Sequence, residues 1–169
     1  MQGIPDGVDG TRATLRVMSE LVRMGRTALP VRIKAMELVR DLPQKAYLDE
    51  IRTVHKFVRD HIRYLKDVRA VETVTTAEKI LELGQGDCDD KSVLTAALLE
   101  SIGHPTRLVA VGCRANDYAH VLVETRVGAN KWIPVETTEP VDVGWYPPGW
   151  NYRLVCHVHG GRNNGKVKR

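Results

Sequence analysis

The chemistry this 169-residue chain could perform is concentrated in one stretch, GQGDCDDKSVLTAALLESIG, residues 84–103, where Cys88 stands among Asp87, Asp89 and Asp90. A thiolate is a strong nucleophile, but carboxylates close to a thiol resist its ionisation. The run that follows places Val93, Leu94, Ala97, Leu98 and Ile102 at helical spacing, with Gly103 as a stop, and predicts a helix beginning near Cys88. Acids suit that position, because they satisfy unpaired N–H groups of the first turn and complement its positive end. The same helix end lowers a cysteine pKa, and the aspartates oppose it. Cys88 therefore needs a base that can take its proton and become cationic. His120 in DYAHVLVET, on a predicted strand of apolar or small residues, is the candidate base. Glu136 in KWIPVETTEP, ending the next predicted strand, is the candidate carboxylate to hold the imidazole. The plain alternative makes Cys88 structural and His120 a satisfied, partly buried histidine.

The trio carries a geometric condition. Side chains alternate across a sheet, so His120 and Glu136 share a face only if antiparallel partners have residue numbers with an even sum. A two-residue turn at Gly128-Ala129 would pair Val127 with Asn130 and put Glu136 on the wrong face. An odd-length loop or a bulge near Gly128 restores it. For an oxyanion, the Cys88 backbone N–H is the first donor and the Gln85 side-chain amide a second; an ordinary loop glutamine is the alternative.

The elements that must hold these residues are predicted as helices first and strands after. Residues 1–11 read as an irregular arm. Leu15, Met18, Leu21 and Val22 mark a first helix over Thr11–Met24. Val31, Ile33, Ala35, Met36, Leu38 and Val39 mark a second one ending before Pro43. Both are rich in Arg and Lys, which predicts either a solvated face or a docking surface for a protein partner or an acidic polymer. A third helix, 45–64, carries the clearest periodicity, with His55 and His61 taken as surface or boundary residues. A linker at 66–75 leads to a short helix at 76–83. Short Val-rich strands follow at 107–113, 119–126 and 131–135, and a last strand within YRLVCHVH. The layout is α+β: N-terminal helices, then a central Cys-bearing helix packed on an antiparallel β-sheet. We divide the chain into an N-terminal arm with basic helices, 1–44, a core, 45–159, and a flexible basic tail, 160–169.

Composition narrows the classes. Three cysteines are too few for a disulfide framework, and Cys113 and Cys156, in apolar runs, are expected to be buried. No signal peptide and no membrane segment is read, so the expected location is cytoplasmic or virion-associated. The net charge of +4 is modest, and aromatic residues do not interleave the basic ones, so no nucleic-acid partner is expected. Neither the three aspartates nor His157 and His159 in CHVH complete a ligand set, so no metal and no cofactor is expected. CHVH reads as an edge strand. VGWYPPGW, 143–150, reads as a rigid loop packing the sheet edge, or else as an aromatic wall of a substrate cleft.

In sequence order, GDCDDKSVLTAALLESIGHPTRLVAVG, YAHVLVET and KWIPVETT resemble the transglutaminase-like superfamily of cysteine peptidases and acyltransferases, and VHKFVRDHIRYLKD is similar to the helix that precedes the family's cysteine. The resemblance covers residues 45–140. It implies a papain-like/transglutaminase-like core with Cys88 as nucleophile, His120 as base and Glu136 as orienting acid. The family usually has Asp followed by Pro at that last position; this chain has Glu-Thr-Thr. The expected activity is acyl transfer, chiefly hydrolysis of a peptide, isopeptide or other amide bond in a peptide or protein substrate. The alternative is a catalytically silent adaptor or structural component of a larger assembly. Proteins of this GDCDD type also resemble bacteriophage-encoded ones, so a virion or tail is a possible setting.

Overall fold

A computed structural model describes residues 7–66 and 74–159, and the backbone of 167–168. Residues 1–6 of the expected arm, most of the linker and most of the basic tail lie outside the described residues, and the last part of that arm, 8–11, is helical rather than irregular. Five helices come before the main sheet: α1 (Val8–Gly25), α2 (Leu29–Val39), α3 (Tyr47–His61), α4 (Ala77–Leu83) and α5 (Cys88–Ser101). Two short strands, β1 (Arg63–Tyr64) and β2 (Gln85–Gly86), pair in parallel. The larger sheet holds β3 (Thr106–Gly112), β4 (His120–Val127), β5 (Lys131–Val135), β6 (Tyr152–His157) and β7 (Val167–Lys168). Its order is β5-β4-β3-β6-β7, antiparallel throughout. The α+β layout is as expected. Strand β7 pairs with β6 only at Tyr152 and Arg153, so among the described residues Cys156 and His157 pair with β3 alone, as the edge reading of CHVH expects.

Helix α5 is the centre of the molecule. Every residue from Lys91 to Leu99 is buried. Helices α1 to α4 surround it on one side and β3 and β4 lie against the other. A helix enclosed on all sides has no polar face to give away, which explains the unbroken run VLTAALL. The other helices turn one stripe toward it. Leu15, Met18 and Val22 come from α1, Val31 and Ala35 from α2, and Ile51, Val54 and Val58 from α3. Gly25 is a contact point, since a Cβ there would sit 2.8 Å from Ala77 Cβ and 3.1 Å from Ala97 Cβ. Helix α2 is buried less than its composition suggests. Leu29, Ile33 and Met36 remain exposed.

The sheet has two differently built faces. Leu108, Ala110, Val121, Val123, Val135, Leu154 and Cys156 join the helical core. On the outer face Val109, Val111 and Leu122 are covered by Tyr146, Trp150 and Val155. The VGWYPPGW segment thus packs on the face of the sheet, not its edge. Further along that face, Glu124 is fully buried between two arginines. Arg107 donates Nε–H to Glu124 Oε2 at 2.7 Å, and Arg153 donates to Glu124 Oε1. Each guanidinium also lies over a ring, Arg107 on Trp132 at 4.5 Å and Arg153 on Tyr146 at 5.5 Å. This cluster fastens the 143–150 segment to strands β3, β4 and β6.

Cys156 is buried as expected, but Cys113 is exposed. The apolar run before Cys113 belongs to β3, which ends at Gly112, so the cysteine falls in the connection to β4. His55 is likewise corrected: it is 3% exposed, on the inner face of α3, whereas His61 at the helix end is exposed. Replacing Glu124 with Ala leaves two guanidinium groups without their shared carboxylate, one of them almost fully buried. We expect Glu124→Ala to lose about 3–5 kcal/mol of stability, read as a lowered urea midpoint.

Candidate active site

The first turn of α5 is built by its own acids. Asp87 is the N-cap, and its Oδ1 accepts from Asp89 N at 2.9 Å and Asp90 N at 3.0 Å. Asp90 reaches back to Asp87 N at 3.3 Å, completing a capping box, and takes Thr75 N at 3.0 Å. This reciprocal arrangement satisfies N–H groups that the helix itself cannot. The preceding chain must come close to accomplish it. A Cβ on Gly86 would lie 2.5 Å from Asp90 Cβ, so only glycine fits there. Bonds from Arg63 N to Gly84 O (2.8 Å) and from Leu65 N to Gly86 O (3.0 Å) hold that approach in place.

Cys88 is the first residue of α5 and is half-buried. Its thiol points to Asp89 Oδ1 at 3.6 Å and also meets the Val121 backbone N–H. Burial, and then the negative charge of Asp89, push the thiol up to about 12, outweighing the Val121 N–H, which favours the thiolate. The carboxylates thus act on the thiol in the direction their charge requires. Ser92, one turn on, donates to Val121 O at 3.2 Å, so both the N–H and the C=O of Val121 bond to α5.

Val121 directly follows His120, the first residue of β4. The hairpin to β5 meets the parity condition. Val127 pairs with Lys131 across the three-residue loop 128–130, and Gly128 takes the left-handed conformation at φ 69°. His120 and Glu136 therefore share a sheet face, and His120 Nε2 lies 2.5 Å from Glu136 Oε2. Since a carboxylate only accepts, Nε2–H donates and the neutral ring keeps its lone pair on Nδ1. The other carboxylate oxygen, Oε1, takes both the backbone N–H and the hydroxyl of Thr138, each at 2.7 Å. Burial alone would raise the Glu136 carboxyl, but the bonds from His120 and Thr138 hold it below the usual range. The Glu-Thr-Thr sequence has a clear structural reading: the second threonine grips the longer side chain.

Gln85 lies in β2, half-buried, three residues before Cys88. Side chains that sequence reasoning did not select surround the trio. Trp150 meets the His120 ring edge-on at 5.9 Å. Tyr64 is raised by burial, then by negative charge at Cys88, Asp87, Asp89 and Glu139, which makes it a neighbour of the thiol. His55 donates Nε2–H to the Glu136 carbonyl at 2.6 Å. Only Trp150 carried a signal, through its place in an aromatic, proline-rich stretch. His157 packs edge-on against Trp132 and His159 pairs with Glu100 at 2.6 Å. Among the described residues no group of three or more His, Cys, Asp or Glu could hold a metal, and no helix is long and apolar enough to cross a membrane.

With this geometry in hand, comparison with known families identifies the class. The model of the transglutaminase-like superfamily matches residues 36–137, more than half of the chain, and the protein belongs to that superfamily. Comparison with curated proteins gives no match. Among solved structures, the chain is similar to a cysteine-protease candidate from Cytophaga hutchinsonii (18% identity, TM-score 0.53, 66% of this chain and 38% of that one). It is also similar to LapG of Legionella pneumophila (14% identity, TM-score 0.52, 84% and 86%). A third is Rad4 in its complex with Rad23 on DNA carrying a 6-4 photoproduct (13% identity, TM-score 0.59, 94% and 45%). These likenesses establish a shared fold, and the chain spans less than half the length of the first and third.

Removing the charge nearest the thiol tests the electrostatics. Asp89→Asn should bring the thiol pKa down and speed alkylation of Cys88 by iodoacetamide at pH 8 by about threefold to tenfold. An unchanged rate–pH curve would show that burial alone sets the thiol.

Proposed function

We propose that the protein is a cysteine-dependent acyl-transfer enzyme that hydrolyses a peptide, isopeptide or other amide bond, with Cys88 as nucleophile, His120 as base and Glu136 as the orienting acid. The observation that carries this reading is the bond between His120 Nε2 and Glu136 Oε2, made at the start of the strand whose next amide meets the Cys88 thiol. A buried acceptor on Nε2 leaves Nδ1 free to act as a base and favours the imidazolium that forms.

With its pKa near 12, the thiol rests protonated at neutral pH, so His120 acts as a general base during attack and not as half of a standing ion pair. As Nδ1 takes the proton, a bond forms from sulfur to the carbonyl carbon and the π electrons move onto oxygen. The Cys88 backbone N–H, at the unpaired end of α5, is the donor for that oxygen, with the Gln85 amide as a second. Collapse of the intermediate expels the amine, which takes its proton from His120. Water, activated by the same ring, then releases the acid and restores the thiol. An amine in place of water would give transfer rather than hydrolysis.

The high thiol pKa is also the observation that favours a second reading, a silent adaptor using the fold as a binding module, for instance in a phage virion or tail. The exposed apolar and basic residues of α1 and α2 would then meet a protein partner. Labelling separates the two. An acyl-mimicking electrophile, such as a peptidyl vinyl sulfone, should modify Cys88 at a rate that falls by about 100-fold or more in His120→Ala. The exposed Cys113 is the internal reference and should keep its rate. Equal Cys88 labelling in wild type and His120→Ala would favour the adaptor.

A further inference from the structure

Lys91 has no part in the chemistry just described, yet it lies three residues after Cys88 on α5 and is only 2% exposed. A buried ammonium requires partners. This one donates Nζ–H to Ile62 O at 2.7 Å and reaches Arg59 O at 3.5 Å, the carbonyls where α3 ends. A helix C-terminus carries partial negative charge and carbonyls its own backbone cannot satisfy, so a cation is well suited to it. The charged groups around the ammonium are Asp60 from α3 and Glu136 from the segment after β5. Both favour its charged form, while burial opposes it and lowers the pKa to about 8. At neutral pH the contacts to α3 are therefore charge-assisted.

The same two turns of α3 hold the other half of the site. His55 donates to the Glu136 carbonyl at 2.6 Å, and Arg59 Nη1 donates to Val141 O at 3.0 Å. Burial keeps the His55 imidazole neutral at physiological pH, so this bond needs no charge. Helix α3 thus grips the acid-bearing segment through His55 and Arg59, and the cysteine-bearing helix through Lys91. We propose that Lys91 is a positioning residue that locks α5 to the end of α3, so that Cys88 and the His120–Glu136 pair keep a fixed relative placement. An apolar side chain there would fill the space but leave buried carbonyls unpaired. The functional meaning of this tie rests on the cysteine-enzyme reading; its structural content does not.

Two readouts test it: the Cys88 alkylation rate as a function of pH, with Cys113 as reference, and the ring ¹⁵N resonances of His120. Lys91→Met should keep the native circular dichroism, slow Cys88 by about tenfold or more, and move the His120 Nε2 resonance away from its carboxylate-bonded position. Lys91→Arg, which can still donate to both carbonyls, should recover most of the rate. His55→Phe should repeat the His120 shift without touching α5. A folded Lys91→Met with an unchanged pH profile and unchanged His120 resonances would overturn the proposal and leave Lys91 a helix cap alone. If Lys91→Met does not fold, the shorter and neutral Lys91→Gln takes its place, and a wild-type Cys88 rate with wild-type His120 resonances there would overturn the proposal equally. The ring signals do not depend on thiol reactivity. Failure of His120→Ala to slow Cys88 would therefore remove the enzyme reading while leaving this tie measurable.

Discussion

Enclosure of α5 is the constraint on which the other features depend. From Lys91 to Leu99 every residue is buried, so the helix has neither a solvent face to slide along nor room to rotate. Its first residue is fixed as a result. Cys88 sits at the half-buried N-terminal end, where the capping acids and the glycine-tight approach of residues 84–87 determine how the thiol is presented. The core and the candidate site are in this sense one object: the packing that stabilises the domain also aims the sulfur.

The electrostatics around that sulfur are economical and somewhat unexpected. Asp87 and Asp90 cap the helix, Asp89 and Asp87 burden the thiol, and the carboxylate that matters to the imidazole comes from the sheet. Glu136 is held from both sides, by His120 on one oxygen and Thr138 on the other. A shorter acid could reach the ring only if the backbone came closer, so the extra methylene and the threonine grip belong together. On the outer face Trp150 and the arginine-flanked Glu124 keep the segment beside His120 from lifting away.

Much of this was legible in the sequence because it was written locally or in a strict period. The α5 run, the acid cap and the alternation of β3 to β5 follow from spacing, and the even-sum rule ties a shared face for residues 120 and 136 to an odd-length loop or a bulge. What escaped was set by tertiary geometry. His55 is surrounded by charged neighbours in sequence and reads as exposed, yet the helix turns it inward to a carbonyl 81 residues away. Lys91 reads as one more polar residue of a helix start, and nothing local announces the end of α3 beside it. Cys113 follows an apolar run that simply stops one residue earlier. The aromatic segment was seen, but whether it packed on an edge or a face depended on the placement of β6, which no local pattern encodes.

The loop at 128–130 has a consequence for how this family can vary. Surface hairpins usually tolerate a gain or loss of one residue, because few contacts are at stake. That tolerance holds here while Val127 stays opposite Lys131, because directly paired residues face the same way whatever the loop between them. A one-residue slide of β5 along β4 is different: it would carry Glu136 away from the imidazole and Val135 out of the helical core. The burial of Val135 thus guards the register on which the histidine's carboxylate depends.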